Sequence, residues 1–544
     1  MQTWLSSSLV RWYPTSSAGR KQTLRLEAAR GEQVSFQACF RTGERVREVS
    51  AVAEADGLDV QVRRVGYVPM PHLNAPWGDD PSQEERDGVA HLPGLVPDPL
   101  FPETTAKAGP FETNAFWITV RVPADGKPGL RRIEVRLTAE GEESATLIAN
   151  LRVHRGVIQP RRDFPVTHWF YADALCDWYK LEPFEDAFWP IVERYLADLA
   201  SHNLDTSHLP LFTPPTDGVK RPNQLLDVRR DPSASLGVNG DRYLFDWSLV
   251  RRWVETARRA GLTYFEWPHL FTQWGAKYAI RIYEGHGGSE KLLWDPETPG
   301  VSSTYRAFLS QFLPEFKRFL DVEGLTDHSF FHLSDEPHGE EHLTNYRAAR
   351  AMLRELAPWM KVMDALSDIS FAREGLTDIP IPLITVAPQF AAEGYPAWVY
   401  YWGGPRGRYT QRLLDTPLPK VRMFGWLCYR LKARGFLQWA YNYWYRSQTR
   451  ELINPYQVND AHHWPGWSHG DPFQVYPGAD GPVDSLRWEV FAEGLQDYAL
   501  LQTAGVDPDD AMLAEIRDYA DFPRTEAWLR NQRHEALVAL DRRG

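Results

Sequence analysis

Asp335 and Glu336 are adjacent carboxylates, delivered by the run Phe330-Phe331-His332-Leu333-Ser334 and stopped at once by Pro337. Side by side, two carboxyls can divide acid–base work, one holding a proton for a leaving group while its neighbour stays charged. The run reads as a buried strand, and the proline biases Glu336 towards extended backbone, so the pair falls where a strand opens into a loop. Successive side chains on a regular strand point to opposite faces, so both carboxyls can serve one site only if the strand is ending or bulged there. Gly339, close behind, fits such a break. A solvated Asp-Glu at a loop start would account for the same residues, and the surroundings have to decide.

Those surroundings alternate. After a proline- and charge-rich junction at Gln159–Pro165, strand-like runs occur at Val166–Phe170, Leu204–Leu209, Thr263–Trp267, the run ending in Asp335-Glu336, Met360–Ala365, Pro382–Val386, Ala397–Trp402 and Gly435–Tyr443. Between them lies helical spacing at Phe188–Ser201, Trp247–Ala260, Thr304–Leu320, Leu343–Leu356 and Arg422–Ala433, with a last helical stretch at Leu486–Thr503. Strands alternating with helices over such a length predict an α/β fold, an eightfold (β/α)8 barrel of the TIM type over residues 161–505. In these barrels chemistry gathers at the C-terminal strand ends, and Asp335-Glu336 close the fourth strand. Before the junction the pattern has period two, as in Val34-Ser35-Phe36-Gln37-Ala38-Cys39-Phe40, which predicts an N-terminal antiparallel β-sandwich over residues 1–160. Pro69–Pro110 reads as a long loop and residues 506–544 as a helical cap without assignable chemistry.

Composition narrows the partners. A formal charge of −12 argues against nucleic acid or an anionic membrane surface, and no segment is long and apolar enough to span a bilayer. The N-terminus carries no basic region followed by an apolar run, which places the chain in the cytoplasm unless a signal has been removed. Three scattered cysteines suggest neither a disulfide framework nor a thiolate zinc site. His462, His463 and His469 lie near Asp460 and Asp471 without the spacing of a zinc helix or calcium loop, so neither a metal nor a cofactor is expected. With 22 Trp and 23 Tyr the chain is rich in rings that combine a flat apolar face with a polar tip, suited equally to core packing and to sugar. Three strand ends carry them together: Glu266-Trp267-Pro268-His269 through Gly275, Trp398 to Trp402, and Gln438 to Trp444.

These residues resemble family-123 glycoside hydrolases and the related DUF4091 proteins. The likeness is carried by Ser334-Asp335-Glu336-Pro337, His269-Leu270-Phe271-Thr272-Gln273-Trp274-Gly275-Ala276-Lys277, Gly435-Phe436-Leu437-Gln438-Trp439-Ala440-Tyr441-Asn442, and Ser485-Leu486-Arg487-Trp488-Glu489 leading to Gly494-Leu495-Gln496-Asp497-Tyr498. Where the family's last helix usually reads Asp-Gly and Glu-Asp-Tyr, this chain has Glu493-Gly494 and Gln496-Asp497-Tyr498.

The resemblance implies a retaining exo-β-N-acetylgalactosaminidase in which the substrate's acetamide is the nucleophile, an exception to the two-carboxylate scheme. Glu336 would be the general acid and then base, and Asp335 would orient the acetamide and stabilise its developing charge. By position, Trp267, Trp274, Tyr401, Trp439 and Tyr441 would wall the sugar ring, with His269, Gln273 and Asn442 as polar partners. The partner expected is therefore a glycan or glycoside. A retaining hydrolase for another sugar and a non-catalytic glycan-binding protein remain open, and the sequence leaves the oligomeric state undetermined.

Overall fold

Period-two alternation becomes two stacked five-stranded sheets in this computed structural model, which describes residues 1–75, 85–212, 223–233, 241–286, 289–396 and 398–543. One sheet orders Gln2–Ser7, Gln33–Arg41, Thr113–Arg121, Asp59–Met70 and Gly94–Phe101, antiparallel throughout. The other orders Thr23–Arg30, Ala145–Val157, Gly129–Ala139, Arg47–Glu54 and Thr105–Ala108, and its first pair is parallel, with Leu151 opposite Leu26. Phe36, Ala38, Phe40, Phe116 and Ile118 share one core with Val135, Leu137, Leu147 and Leu151.

Alternation alone would leave Ser35, Gln37 and Cys39 facing water, yet all three are buried. The second face of their sheet is covered by the C-terminal part of the chain, whose core takes in Cys39 and Trp117. Pro69–Pro110, expected to be a loop, contributes the strands Gly94–Phe101 and Thr105–Ala108; its residues 76–84 lie outside the described residues. Gly94–Phe101 is an edge strand, the place where Pro97 and Pro99 can lack a ladder donor without loss.

The rest of the chain mixes helices with short parallel strands. Val166–His168, Phe436–Gln438 and Val399–Tyr400 form one sheet, Thr206–His208, Tyr264–Glu266 and Ser329–Phe330 a second, and Met363–Leu366 with Ile379–Pro382 a third. Single parallel bridges, Phe331 to Val362 and Leu383 to Tyr400, link the pieces. Ala397, placed at a strand start by the sequence, lies outside the described residues. Helices Phe188–Ser201, Ser248–Ala260, Ser303–Val322, Gly339–Leu356 and Leu418–Arg430 pack around these strands. Helix Leu486–Ala504 is buried on nearly all sides, between Leu418–Arg430 and the sandwich. An antiparallel insertion absent from the sequence reading pairs Asp227–Arg230 with Tyr243–Asp246 and Tyr283–Glu284 with Lys291–Leu292.

Helix Glu526–Arg543 returns to the sandwich. Asp541 accepts from the backbone N–H groups of Arg155 and Gly156 at 2.6 and 3.0 Å, and Arg533 reaches Glu32 at 3.2 Å.

Candidate active site

The strand Ser329–Phe330 ends well before the carboxylates, and a different device holds them. Residues 267–276 run alongside 330–335, with the N–H groups of Trp267, Leu270, Phe271 and Trp274 donating to the carbonyls of Phe330, His332, Leu333 and Asp335 at 2.7 to 3.2 Å. Ser334 Oγ donates to the Thr272 carbonyl at 2.8 Å and accepts from Ala276 N. Trp274, Gly275 and Ala276 all have positive φ, and a Cβ on Gly275 would meet the His342 ring at 2.4 Å, so the tight approach requires glycine there.

Glu336 also lies in the left-handed region, at φ 42°, where the proline was expected to keep it extended. Such backbone costs about 1–3 kcal/mol in a non-glycine residue. It ends the strand-like alternation between Asp335 and its neighbour, the break that two carboxyls need to serve one site. Tyr400 Oη, from another strand end, donates to Glu336 Oε1 at 2.7 Å and fixes its direction.

Beneath the pair is a buried charge network. His332 stands between two carboxylates, Nε2 to Glu266 Oε1 at 2.8 Å and Nδ1 to Asp364 Oδ1 at 3.2 Å. Glu266 also accepts from Trp169 Nε1 at 2.8 Å and from the Thr167 hydroxyl. Asp364 accepts from Tyr346 Oη and from the N–H groups of Leu333 and Ser334, holding the backbone that leads into Asp335. The His269 ring stacks on His332 with centroids 4.4 Å apart; both its nitrogens, and Nε2 of His208, are buried without a partner among the described residues.

The energetics follow. Burial opposes a charge on His332, but the hydrogen bonds to Asp364 and Glu266 outweigh it and lift the imidazole to about 9. Burial pushes the Asp335 carboxyl well above the carboxylate range, the charge of Glu336 adds to this, and His332 pulls the other way. Glu336 is raised as well, by burial, with Tyr400 and His338 opposing. Two coupled carboxyls of this kind titrate as a unit and keep a proton to higher pH than either would alone.

Of the residues singled out by sequence, the structure gathers some and diverts others. The backbone N–H of Trp274 donates to Asp335, while the residue is 48% exposed and open to a ligand. Gln273 precedes it, half-buried, and His269 lies on His332. Trp439 closes strand Phe436–Gln438 beside Trp467 and Tyr443, with Nε1 reaching Asp471 at 3.4 Å. Four others have structural partners instead. Trp267 packs edge-on to Phe316 of a surrounding helix and donates to Ser329 Oγ. Tyr401 packs against Phe424 and Phe436. Tyr441 donates to Asp198 Oδ2, and the Asn442 amide is paired at both ends with the backbone of Tyr171. Glu266 and Tyr400 were named in the sequence only as members of ring-rich strand ends and given no role, and His332 and Asp364 were not singled out.

Among the described residues two groups converge closely enough to share a cation, His269 with His332 and Asp364, and Asp198 with His202 and Asp484. In the first, both nitrogens of His332 already face carboxylates at hydrogen-bond distance, a poor fit to a metal ligand.

A family model described as "Glycoside hydrolase 123, catalytic domain" matches residues 169–504, well over half the chain. The chain belongs to glycoside hydrolase family 123. As a member of that family it is a glycoside hydrolase, and the Asp335-Glu336 pair lies within the matched segment. Over its whole length this family-123 chain superposes on a solved family-123 glycoside hydrolase from Clostridium perfringens, described in connection with glycolipid glycan hydrolysis, with a TM-score of 0.73, 14% identity, and coverage of 99% of this chain and 96% of that one. A Bacteroides ovatus xyloglucanase of family 5 overlaps far more loosely, with a TM-score of 0.28, 11% identity, and coverage of 87% of this chain and 98% of that one. No curated protein sequence matches the chain.

Proposed function

We propose that this family-123 enzyme is a retaining exo-β-N-acetylgalactosaminidase that uses its substrate's own acetamide as nucleophile. The observation that carries the reading is adjacency. Glu336 and Asp335 are consecutive residues, Glu336 at a left-handed turn and directed by Tyr400, an arrangement that fits one acid–base carboxyl beside one that meets the acetamide. The nearby buried carboxylates, Glu266 and Asp364, are both engaged by His332. The 2-acetamido oxygen then attacks the anomeric carbon as Glu336 gives its proton to the leaving oxygen. Asp335 accepts the acetamide N–H as the oxazolinium forms, and Glu336 takes a proton from the water that opens the ring with net retention.

The fold we assign to the catalytic part is an eightfold β/α barrel, supported by eight parallel strands in chain order whose neighbours pair by ladders or single bridges, and by Val166–His168 running beside Thr206–His208. In that frame Tyr400 and Trp439 come from strand ends, and Asp335 from the segment that follows Ser329–Phe330, towards one mouth. Trp274 and Trp439 are the platforms for the sugar ring, and Gln273 and His269 the hydrogen-bonding groups.

Hydrolysis of paired aryl β-glycosides tests the reading. The N-acetylgalactosaminide should be cleaved and the plain galactoside left intact, with loss of turnover in Glu336→Gln. Asp335→Asn should lower kcat while KM stays within a few-fold. Equal cleavage of the galactoside, or near wild-type turnover in Asp335→Asn, would rule out acetamide assistance.

A further inference from the structure

The group released by a glycosidase lies outward of the acid that protonates it, so whatever lines the mouth beyond Glu336 meets the rest of the substrate. On one side that lining is aromatic. Tyr400, whose hydroxyl holds Glu336, is paired in register with Leu437. Trp439 follows two residues on, so strand alternation turns its ring to the same face as Tyr400. From Trp439 the rings continue: Trp467 lies against it with centroids 4.9 Å apart, and His463 meets Trp467 edge-on at 5.2 Å. Trp464, next in the chain, packs on His72 of the sandwich at 4.1 Å.

We propose that the ledge formed by Trp467, His463, Trp464 and His72 binds a saccharide aglycone, so that the substrate is an oligosaccharide capped by the sugar to be removed. The inference rests on the activity proposed above. Exposure supports it first. Among the described residues two tryptophans stand open to solvent, Trp274 at 48% and Trp464 at 38%. One belongs to the segment beside Asp335 and the other to the loop that follows Trp439.

The second support is that this loop is fastened in place. Asn459 Nδ2 donates to the Pro69 carbonyl at 2.8 Å, the N–H of His469 to Asn74 Oδ1 at 2.7 Å, and the N–H of Trp467 to the His463 carbonyl at 3.1 Å. A Cβ on Gly466 would meet the His463 ring at 2.8 Å, so glycine lets that ring fold beside Trp467. Rings held before binding lose little freedom when a ligand arrives. Their chemistry names the ligand. Each indole offers a flat apolar face with an N–H at its edge, and the imidazoles add ring nitrogens, a mixture matched by the C–H face and hydroxyls of a sugar. A lipid chain would cover those nitrogens without giving them a partner.

The test follows kcat/KM for lactose capped by β-N-acetylgalactosamine and for the aryl N-acetylgalactosaminide, in wild type, Trp464→Ala and Trp467→Ala. Each leaving group is the same in every variant, so its chemistry cancels from the change in their ratio. The ratio of trisaccharide to aryl glycoside should fall about tenfold in each variant, through KM. The exposed Trp464 serves should Trp467→Ala fail to fold. An unchanged ratio in Trp464→Ala overturns the proposal, as does an equal loss on dodecyl β-N-acetylgalactosaminide, which would make the ledge an acyl surface. Failure to cleave any acetamido sugar would defeat the functional reading instead, and the ledge is then decided without turnover. NMR saturation transfer from the protein to lactose should be present in wild type and lost in Trp464→Ala, and equal transfer in both rejects the site.

Discussion

Buried carboxylates occur in two regions of this molecule and are treated in opposite ways. Along the seam between sandwich and catalytic part, acids are met by guanidinium groups. Asp497 is held through both oxygens by Arg422 at 2.8 and 3.1 Å and also by Arg533; Glu489 and Asp484 are bridged by Arg63; Asp98 lies against Arg487, both side chains fully buried. Burial would raise Asp497, Glu489 and Asp484, but the arginines bring Asp497 below its usual range and Glu489, with His202, down to about 2; Asp484 is the exception, burial and the charge of Asp198 holding it up at about 7 despite Arg63. At the active site Glu336 is met by a tyrosine hydroxyl, neither it nor Asp335 has a guanidinium partner among the described residues, and both carboxyls are raised. Rigid fork-shaped cations fix a charge and a geometry, which suits a seam. A site that must take up and release a proton near neutral pH does without them.

The contrast can be broken from either side. Glu336→Gln should lower kcat on glycosides with poor leaving groups by about 10²–10⁴-fold while the melting temperature holds or rises, because a repelling buried charge is removed; a destabilised variant would place Glu336 among the structural acids. Arg487→Met should do the reverse, costing about 3–5 kcal/mol in chemical denaturation by stranding Asp98, with the kcat of the folded fraction unchanged. Tyr400→Phe sharpens the comparison within the site. Its hydrogen bond lowers Glu336, so its loss raises that carboxyl further and should carry the alkaline limb of the pH profile upward by up to about one unit. Arg517→Ala, which removes an exposed pair with Asp521, should leave melting temperature and activity within error.

Much of this was legible in the sequence, and the failures share a cause. Helix Phe188–Ser201 matches its periodicity to the residue, and most of the strands read from the sequence lie where they were read, because apolar spacing records which face is buried. The fourth, however, stops at Phe330 rather than at Asp335-Glu336, and the sixth is Ile379–Pro382 rather than Pro382–Val386. The carboxylate pair was legible as charge stranded at the end of an apolar run. What slipped was parity. Trp267 was chosen over Glu266 and Tyr401 over Tyr400, since an aromatic ring suits a sugar wall and a helix interface equally well. The charged neighbour was the better guide. An acid in an apolar strand cannot face the helix layer, so Glu266 had to point inward, towards a cation such as His332, and Trp267 outward onto Phe316. The left-handed turn at Glu336 was not legible, because it is imposed by the flanking 267–276 segment and by Tyr400, both distant in sequence. Gly94–Phe101 was hidden by prolines that are acceptable only at an edge, and edges are properties of the assembled sheet.

The return of helix Glu526–Arg543 to the sandwich has a consequence for how the molecule is made. Glu32 and Arg533 are 501 positions apart. At about 5–20 residues per second, a ribosome takes roughly 25–100 s to travel that distance. For that interval Glu32 has its neighbour Ala29 N–H but lacks its guanidinium partner, and the face carrying Cys39 and Trp117 is covered only as the later segments of its shared core are made.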